Sequence, residues 1–248
     1  MRKDYQHNTG LSDEPSRAQV WQMFDRIAPR YDLLNRLLSF RRDVAWRKRM
    51  GRMIPEGPEL TLLDIATGTA DQILSLMAAT PRIKRSIGVD MSEGMLDYGR
   101  KKIARLGWEQ RVQLKTGDAM RIPEADRAFD VATMSFGIRN VLNVSGALRE
   151  IQRVLKPGGR ALILEFSTPA NPVFRPLYFF YLRHILPRLG GIISGDSTAY
   201  KYLNRTIETF PSGENFCVLM REAGFVRVKA TPLTFGIASI YQGDRPAE

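Results

Sequence analysis

The chain has 248 residues, 44% hydrophobic and 25% charged, with 37 Lys+Arg against 26 Asp+Glu and a formal net charge of +11. That mix is ordinary for a globular protein, and the length is ample for one large α/β domain with a real core. No run approaches the roughly 18 uncharged apolar residues of a membrane span, and the polar stretch Met1–Gly10 lacks the apolar segment of a secretory signal. The one cysteine, Cys217, forbids an internal disulfide, and with only His7 and His184 far apart no metal site is expected. A reducing, cytoplasmic setting is the natural expectation.

The positive excess is uneven. Nine basic residues (Arg26, Arg30, Arg36, Arg41, Arg42, Arg47, Lys48, Arg49 and Arg52) face only Asp32 and Asp43 in the same stretch. Such a stripe attracts nucleic acid, anionic lipid or acidic substrates, and serves equally as a solvated helix face. No RNA-recognition or zinc-finger signature accompanies it, so a nucleic-acid partner is not expected.

Residues 1–14 read as a flexible tail and residues 15–248 as one domain. Within it, 15–52 form an N-terminal helical cap. Two helical patterns there are expected to break at Pro29, with Val20, Phe24 and Ile27 before it and Leu34, Leu37 and Leu38 after. Pro55, Gly57 and Pro58 then mark a turn. Strands are predicted at Thr61–Ala66, Ser86–Asp90, Val112–Lys115, Phe129–Ser135 and Arg160–Phe166. Helices are predicted at Asp71–Ala79, at Ser92–Leu106 with Ser92 as its cap, and at Val144–Leu155, stopped by Pro157-Gly158-Gly159. Alternation of this kind implies a mostly parallel sheet with helices on both faces. An aromatic-rich helical insertion, 169–210, follows the fifth strand. A helix at Ser212–Ala223 and strands at Phe225–Thr231 and Gly236–Gln242 close the chain.

In an open parallel sheet, ligands bind beyond the carboxyl ends of the strands, beside the first one. There the sequence reads Leu63-Asp64-Ile65-Ala66-Thr67-Gly68-Thr69-Ala70-Asp71, a turn of small residues that a ligand can approach closely. Asp90 ends the second strand and Met91 follows it, and Asp118-Ala119 follows the third. A carboxylate at the Asp90 position suits two ribose hydroxyls. A pyrophosphate prefers a glycine-rich turn, whereas this one has Gly68 alone, flanked by Asp64 and Asp71. The expected ligand is therefore a cationic nucleoside, S-adenosylmethionine, held by Asp64, Ala66, Gly68, Asp90 and Met91.

Arg153-Val154-Leu155-Lys156-Pro157-Gly158-Gly159-Arg160, running on to Leu164-Glu165-Phe166-Ser167, resembles one signature of the UbiE/COQ5 family of quinol C-methyltransferases. Tyr31-Asp32-Leu33-Leu34-Asn35-Arg36-Leu37-Leu38-Ser39-Phe40, closing with Trp46, resembles the other. Ser135-Phe136-Gly137-Ile138-Arg139-Asn140-Val141, His184-Ile185-Leu186-Pro187-Arg188 and the stretch from Tyr200 to Pro211 are similar as well, and the likeness covers about residues 17–243. It implies a Rossmann-like class I methyltransferase with a seven-stranded, mostly parallel sheet. It also carries donor contacts over to Thr69, Asp90, Asp118, Ala119 and Ser135. The chain departs from the family pattern at Thr67 and Ala70, where glycines are usual, and at Asp43, where His is usual. The last change removes a proton carrier, and no catalytic role is assigned to position 43.

The implied reaction is C-methylation of a demethylmenaquinol to menaquinol, with the equivalent ubiquinone-pathway step as an extension. A ring carbon becomes nucleophilic once a ring hydroxyl, with a pKa of about 10, gives up its proton. Arg139 is the expected stabiliser of that phenolate. Asn140 and Tyr31 are expected to fix the hydroxyl, and His184 to accept its proton. The prenyl tail keeps such a substrate in the bilayer. The expected partners are thus a polyprenyl quinol and the anionic inner face of the cytoplasmic membrane, met by the basic stripe and the aromatic insertion acting as a lid. A homodimer is left open. Two alternatives stand: a methyltransferase for another lipidic or phenolic acceptor, and a non-catalytic nucleotide-binding scaffold of quinone biosynthesis.

Overall fold

The structure, a computed structural model, describes residues 20–188 and 197–248. The predicted tail 1–14 and the centre of the predicted insertion lie outside the described residues.

A seven-stranded sheet organises the chain. Its strands are β1 (Leu60–Ile65), β2 (Ile83–Asp90), β3 (Val112–Thr116), β4 (Phe129–Ser135), β5 (Leu155–Phe166), β6 (Val226–Leu233) and β7 (Ala238–Asp244). They stand in the order β3-β2-β1-β4-β5-β7-β6. All neighbours pair in parallel except β7, which runs antiparallel to β5 and to β6. β1 is buried along nearly its whole length, as its run of leucines and isoleucine requires of a central strand covered on both faces.

Helices α1 (Val20–Leu38), α2 (Arg42–Gly51), α3 (Asp71–Ala79) and α4 (Glu93–Arg105) precede β3, and α5 (Val144–Val154) joins β4 to β5. α6 (Phe174–Phe180) runs on into a π-helical turn at Tyr181–Ile185. α7 (Ser197–Thr209) and α8 (Glu214–Glu222) complete the set. Ile151, Phe216 and Met220 pack on one face of the sheet, and Met50, Ile73, Leu76 and Leu96 on the other. A third cluster lies above the sheet, where Val20, Met23 and Leu34 of α1 meet Tyr178, Leu182, Tyr202 and Ile207.

Most element ends shift by one to three residues from expectation, and two differences are larger in kind. α1 runs straight through Pro29 and ends at Leu38, so the predicted break falls ten residues late. Proline costs the helix one hydrogen bond, at the Asp25 carbonyl. The buried and half-buried positions Val20, Met23, Ile27 and Leu34 continue at helical spacing across it, and tertiary packing outweighs the local penalty. The second difference is at Pro157-Gly158-Gly159. The helix has already ended at Val154, and these residues form an irregularity inside β5. Leu155 pairs with Phe129, Arg160 with Val131, and Gly158 takes φ 75° in between.

Asp244, fully buried at the end of β7, ties three strands together. It accepts Arg160 Nε of β5 at 2.7 Å, Arg160 Nη2 at 3.1 Å and Arg227 Nε of β6 at 2.8 Å. Burial alone would raise its pKa, but the two guanidiniums outweigh burial and hold it below the usual carboxylate range. A depressed native pKa contributes stability that is complete above the unfolded value, about 4, and is lost as pH falls through the native one. Asp244→Ala is expected to cost about 2–3 kcal/mol in urea denaturation at neutral pH. The gap to the unaltered protein should close below about pH 4.

Candidate active site

The strand order reverses between β1 and β4, so the loops leaving their carboxyl ends diverge and open a crevice. A cavity of about 190 Å³ fills it, walled by Ala66 and Gly68 after β1, Asp90 and Met91 after β2, Gly117 to Met120 after β3, and Ser135 to Gly137 after β4. Of the thirteen residues singled out from the sequence, nine line it: Ala66, Gly68, Asp90, Met91, Asp118, Ala119, Ser135, Tyr31 and Asn140.

The turn is built for close approach. Ala66, Gly68 and Ala70 all have positive φ, and Gly68 N–H donates to Asp90 at 2.8 Å. Asp90 also accepts Ser92 N–H at 2.9 Å, which fixes its carboxylate at the cavity wall and leaves lone pairs for a diol. Burial pushes its pKa up against these backbone donors. Ser135 donates to Gln72 at 2.9 Å, and the buried Gln72 Nε2 has no partner among the described residues.

Asp64, Asp71 and Thr69 are placed differently from the expectation. Asp64 lies buried beneath the turn, where Thr67 and Thr133 donate to it at 2.7 and 2.6 Å, and desolvation raises its pKa to about 6. Asp71 is spent on Lys102 at 2.6 Å and Arg36 at 3.0 Å. Thr69 is buried and donates to Asp32 at 2.6 Å. The turn's own carboxylates therefore do not line the cavity; Asp90 and Asp118 do. Thr67, in a place where the family has glycine, earns its hydroxyl a structural bond to Asp64. Asp32 explains why the Tyr31-Asp32 pair belongs together: one side chain anchors the turn, the other enters the cavity.

The roof of the cavity comes from α1, through Val20, Trp21 and Phe24. Asp25 docks this helix on the start of α4, accepting Ser92 Oγ and, at 3.0 Å, Gly94 N–H. Sequence periodicity marked the helix but carried no sign of this contact.

A second cavity, about 460 Å³, adjoins the first and shares Phe24, Tyr31 and Phe136 with it. Its wall is mainly apolar and includes Trp46, Phe166, Tyr178, Leu182 and Ile237. Arg139 lies in this wall, buried, donating to Glu165 at 2.7 Å and to the Phe136 carbonyl at 2.6 Å, with Phe166 beneath its guanidinium at 5.4 Å. Glu165, fully buried, was missed as a partner although it stands in a quoted signature; burial raises its pKa and Arg139 opposes the rise. Arg139 Nε and the Tyr178 hydroxyl are both buried without a hydrogen-bond partner among the described residues. Burial likewise raises the Tyr31 hydroxyl, against Asn35, Arg139 and Arg47. Asn140 accepts the Tyr202 hydroxyl at 3.3 Å. Asp43 also lines this cavity, buried against Arg47 and accepting Ser39 Oγ at 2.8 Å.

His184 is not brought to the site. It is exposed on the π-helical turn, stacks on Phe180 at 5.0 Å and lines neither cavity, so the proton-accepting role expected of it has no geometry. Tyr178, Leu182 and Leu186 face inward at four-residue spacing, which leaves 183–185 outside.

A nucleoside-sized cleft at the switch point, with acids on successive strand ends and no glycine-rich phosphate turn, defines a Rossmann-like S-adenosylmethionine-dependent methyltransferase. The sheet agrees with solved structures of that class. A SAM-dependent methyltransferase from Aquifex aeolicus matches with TM-score 0.57 and 17% identity over 80% of this chain and 89% of its own. The cyclase SpnF matches with TM-score 0.65 and 19% identity over 97% and 100%. These likenesses concern fold alone, and a cyclase among them shows why. The profile of the ubiE/COQ5 methyltransferase family matches residues 12–245, and this chain belongs to that family. It is 46% identical over 99% of its length to the Ubiquinone/menaquinone biosynthesis C-methyltransferase UbiE of Syntrophotalea carbinolica, covering 98% of that protein. It is 45% identical over 90% of its length to the Demethylmenaquinone methyltransferase of Thermus thermophilus, covering all of it.

Asp90→Ala removes a carboxylate from the cavity wall and is expected to weaken S-adenosylmethionine binding about 100-fold by calorimetry. The unaltered protein should give no binding heat with a pyrophosphate dinucleotide.

Proposed function

We propose that the chain methylates a ring carbon of a polyprenyl naphthoquinol, converting a demethylmenaquinol to menaquinol, with a benzoquinol as a second acceptor. The observation that carries this reading is an apolar cavity, with the buried Arg139 guanidinium held in its wall, that meets the donor cavity at Tyr31 and Phe136. A buried cation beside such a cavity suits an acceptor on which negative charge develops. A cavity of this volume falls in the range of about 300–1,000 Å³ typical of ligand pockets. The names of the relatives support the same substrate class.

S-adenosylmethionine, bound, supplies a methyl group on a cationic sulfur. The residues supply the rest. Glu165 and the Phe136 carbonyl hold the Arg139 guanidinium in one orientation, so its charge stands ready for a developing phenolate without reorganisation. Tyr31 sits where the two cavities join and, with Asn140, aligns the acceptor hydroxyl. Phe24, Phe136, Trp46 and Phe166 exclude water around it. Residues 20–52 act as a cap and the helical segment after β5 as a lid over one methyltransferase domain.

The tail decides where the enzyme works. At about 0.8 kcal/mol per buried CH₂, a tail of several isoprene units costs well over ~10 kcal/mol to draw into water. No helix among the described residues is long and apolar enough to cross a membrane. The enzyme is therefore read as cytoplasmic and peripheral, meeting its substrate at the inner membrane face. Arg26, Arg30, Arg41, Arg42, Lys48, Arg49 and Arg52 are exposed and supply positive charge, whereas Arg47 is buried and does not.

Labelled S-adenosylmethionine with a panel of demethylated naphthoquinols and benzoquinols tests the reaction, and transfer to neither class rejects it. Arg139→Ala is expected to lower turnover about 10³-fold while leaving donor affinity nearly unchanged, and Tyr178→Phe to lower it about tenfold. Equal loss of donor binding and turnover in Arg139→Ala would count against the assignment. In low-salt co-sedimentation the protein should prefer anionic to neutral vesicles, and adding salt should remove the preference.

A further inference from the structure

The mouth of the acceptor cavity carries aromatic side chains in places that suit glycine. Helix α1 closes with Arg41 N–H donating to the Arg36 carbonyl at 2.7 Å and Phe40 N–H to the Leu37 carbonyl at 3.1 Å. In that two-bond ending the residue between helix and exit takes a left-handed backbone and is usually glycine; here it is Phe40, at φ 50° and 75% exposed. The turn Thr234–Gly236 repeats the feature. Phe235 has φ 57° and is 81% exposed, next to Thr234 at φ 44°. A bulky residue is strained in this conformation, and an exposed ring gains little from burial to offset the strain. Neither position is explained by the stability of the chain alone.

Both rings flank α6. Phe40 lies 6.3 Å from Tyr181 and Phe235 lies 5.5 Å from Phe174, centroid to centroid. Leu177 and Phe180 stand exposed between them. Phe40 and Leu177 reach the opening of the acceptor cavity, so the apolar surface outside is continuous with the apolar wall inside. Exposed Arg41, Arg42 and Arg175 border the same rim.

We propose that Phe40 and Phe235 are paired wedges that enter the hydrocarbon of an anionic lipid monolayer and hold the cavity mouth against it. This inference rests on the quinol reading above, and it adds how the substrate arrives: a prenyl tail passes from bilayer to cavity without crossing water. Continuity with the cavity and the bordering arginines select lipid as the occupant of the rim. The strained backbone sets both rings outward, where a membrane recovers the apolar burial that the free chain lacks.

The test uses the full chain, vesicles of mixed phosphatidylcholine and phosphatidylglycerol, and the variants Phe40→Gly, Phe235→Gly, Phe40→Asn and Phe235→Asn, since asparagine also tolerates the left-handed backbone. Each variant should lower vesicle partition about tenfold. Each should also keep or raise the thermal midpoint, because strain is relieved. For Phe235→Asn, turnover of a tail-less naphthoquinol should be unchanged, while turnover of a long-tailed one in vesicles falls with binding. Unchanged partition in all four overturns the proposal. So does a lowered midpoint, which would make the rings structural, or a loss of self-association in sedimentation with partition intact, which would make the rim a contact between copies. If the unaltered protein methylates neither naphthoquinol, the quinol reading itself fails; methylation with unchanged partition rejects only the wedges.

Discussion

The reversal of strand order between β1 and β4 is the constraint on which the site depends. Two neighbouring strands whose crossovers leave in opposite directions cannot close over their own carboxyl ends, so the turn 66–70 and the segment 136–141 are held apart at the centre of the sheet. The polar floor of the first cavity comes from strand ends: Asp90 from β2, Asp118 from beyond β3 and Ser135 from β4, beneath a roof supplied by α1. The acceptor side is built on the same axis. Glu165 near the end of β5 pairs with Arg139 in the loop after β4, and that buried pair sets where the guanidinium stands. Separating two such charges by removing one is costly in a dry interior, so the sheet and the pair support each other.

The carboxylates around the crevice divide into two kinds, and the division is physical. Asp64, Asp71 and Asp32 are engaged by Thr67 and Thr133, by Lys102 and Arg36, and by Thr69; they shape the turn. Asp90 takes only backbone donors and keeps a face toward the cavity. Counting acids near a turn therefore overstates the charge a ligand meets. The repulsion of a pyrophosphate and the welcome to a cation rest on Asp90 and Asp118, not on the acids flanking Gly68.

Much of this was legible in the sequence because it is local. α3 and β4 fall on their predicted residues, and Ser92 caps α4 by accepting Met95 N–H at 3.2 Å, since capping and hydrophobic alternation are written within a few residues. What was not legible is non-local or depends on a fine balance. Pro29 reads as a break until the packing on both sides of it is known. His184 reads as a base until the inward face of its helix is known: Tyr178, Leu182 and Leu186 are buried, and position 184 falls on the opposite side. The engagement of Asp64 by Thr133, 69 positions away, and of Arg139 by Glu165, 26 away, needs the sheet register to be found. Asp43 reads as a loss from the family pattern, and the structure shows it buried in the acceptor cavity wall against Arg47.

Backbone strain is distributed along the same lines. Of the nine non-glycine residues with positive φ among the described residues, four line the two cavities (Ala66, Phe136, Phe40 and Thr234), and three more, Ala70, Arg41 and Phe235, lie within two positions of a lining residue. Each such residue costs on the order of 1–2 kcal/mol, so together they draw on a reserve that a marginally stable fold can supply only from elsewhere. Here it comes from the sheet, whose central strands bury leucine, isoleucine and valine on both faces. At the donor turn the strain brings backbone close to a ligand. At the mouth it turns rings away from the protein. The same conformation thus serves a close backbone approach in one place and the exposure of rings in the other.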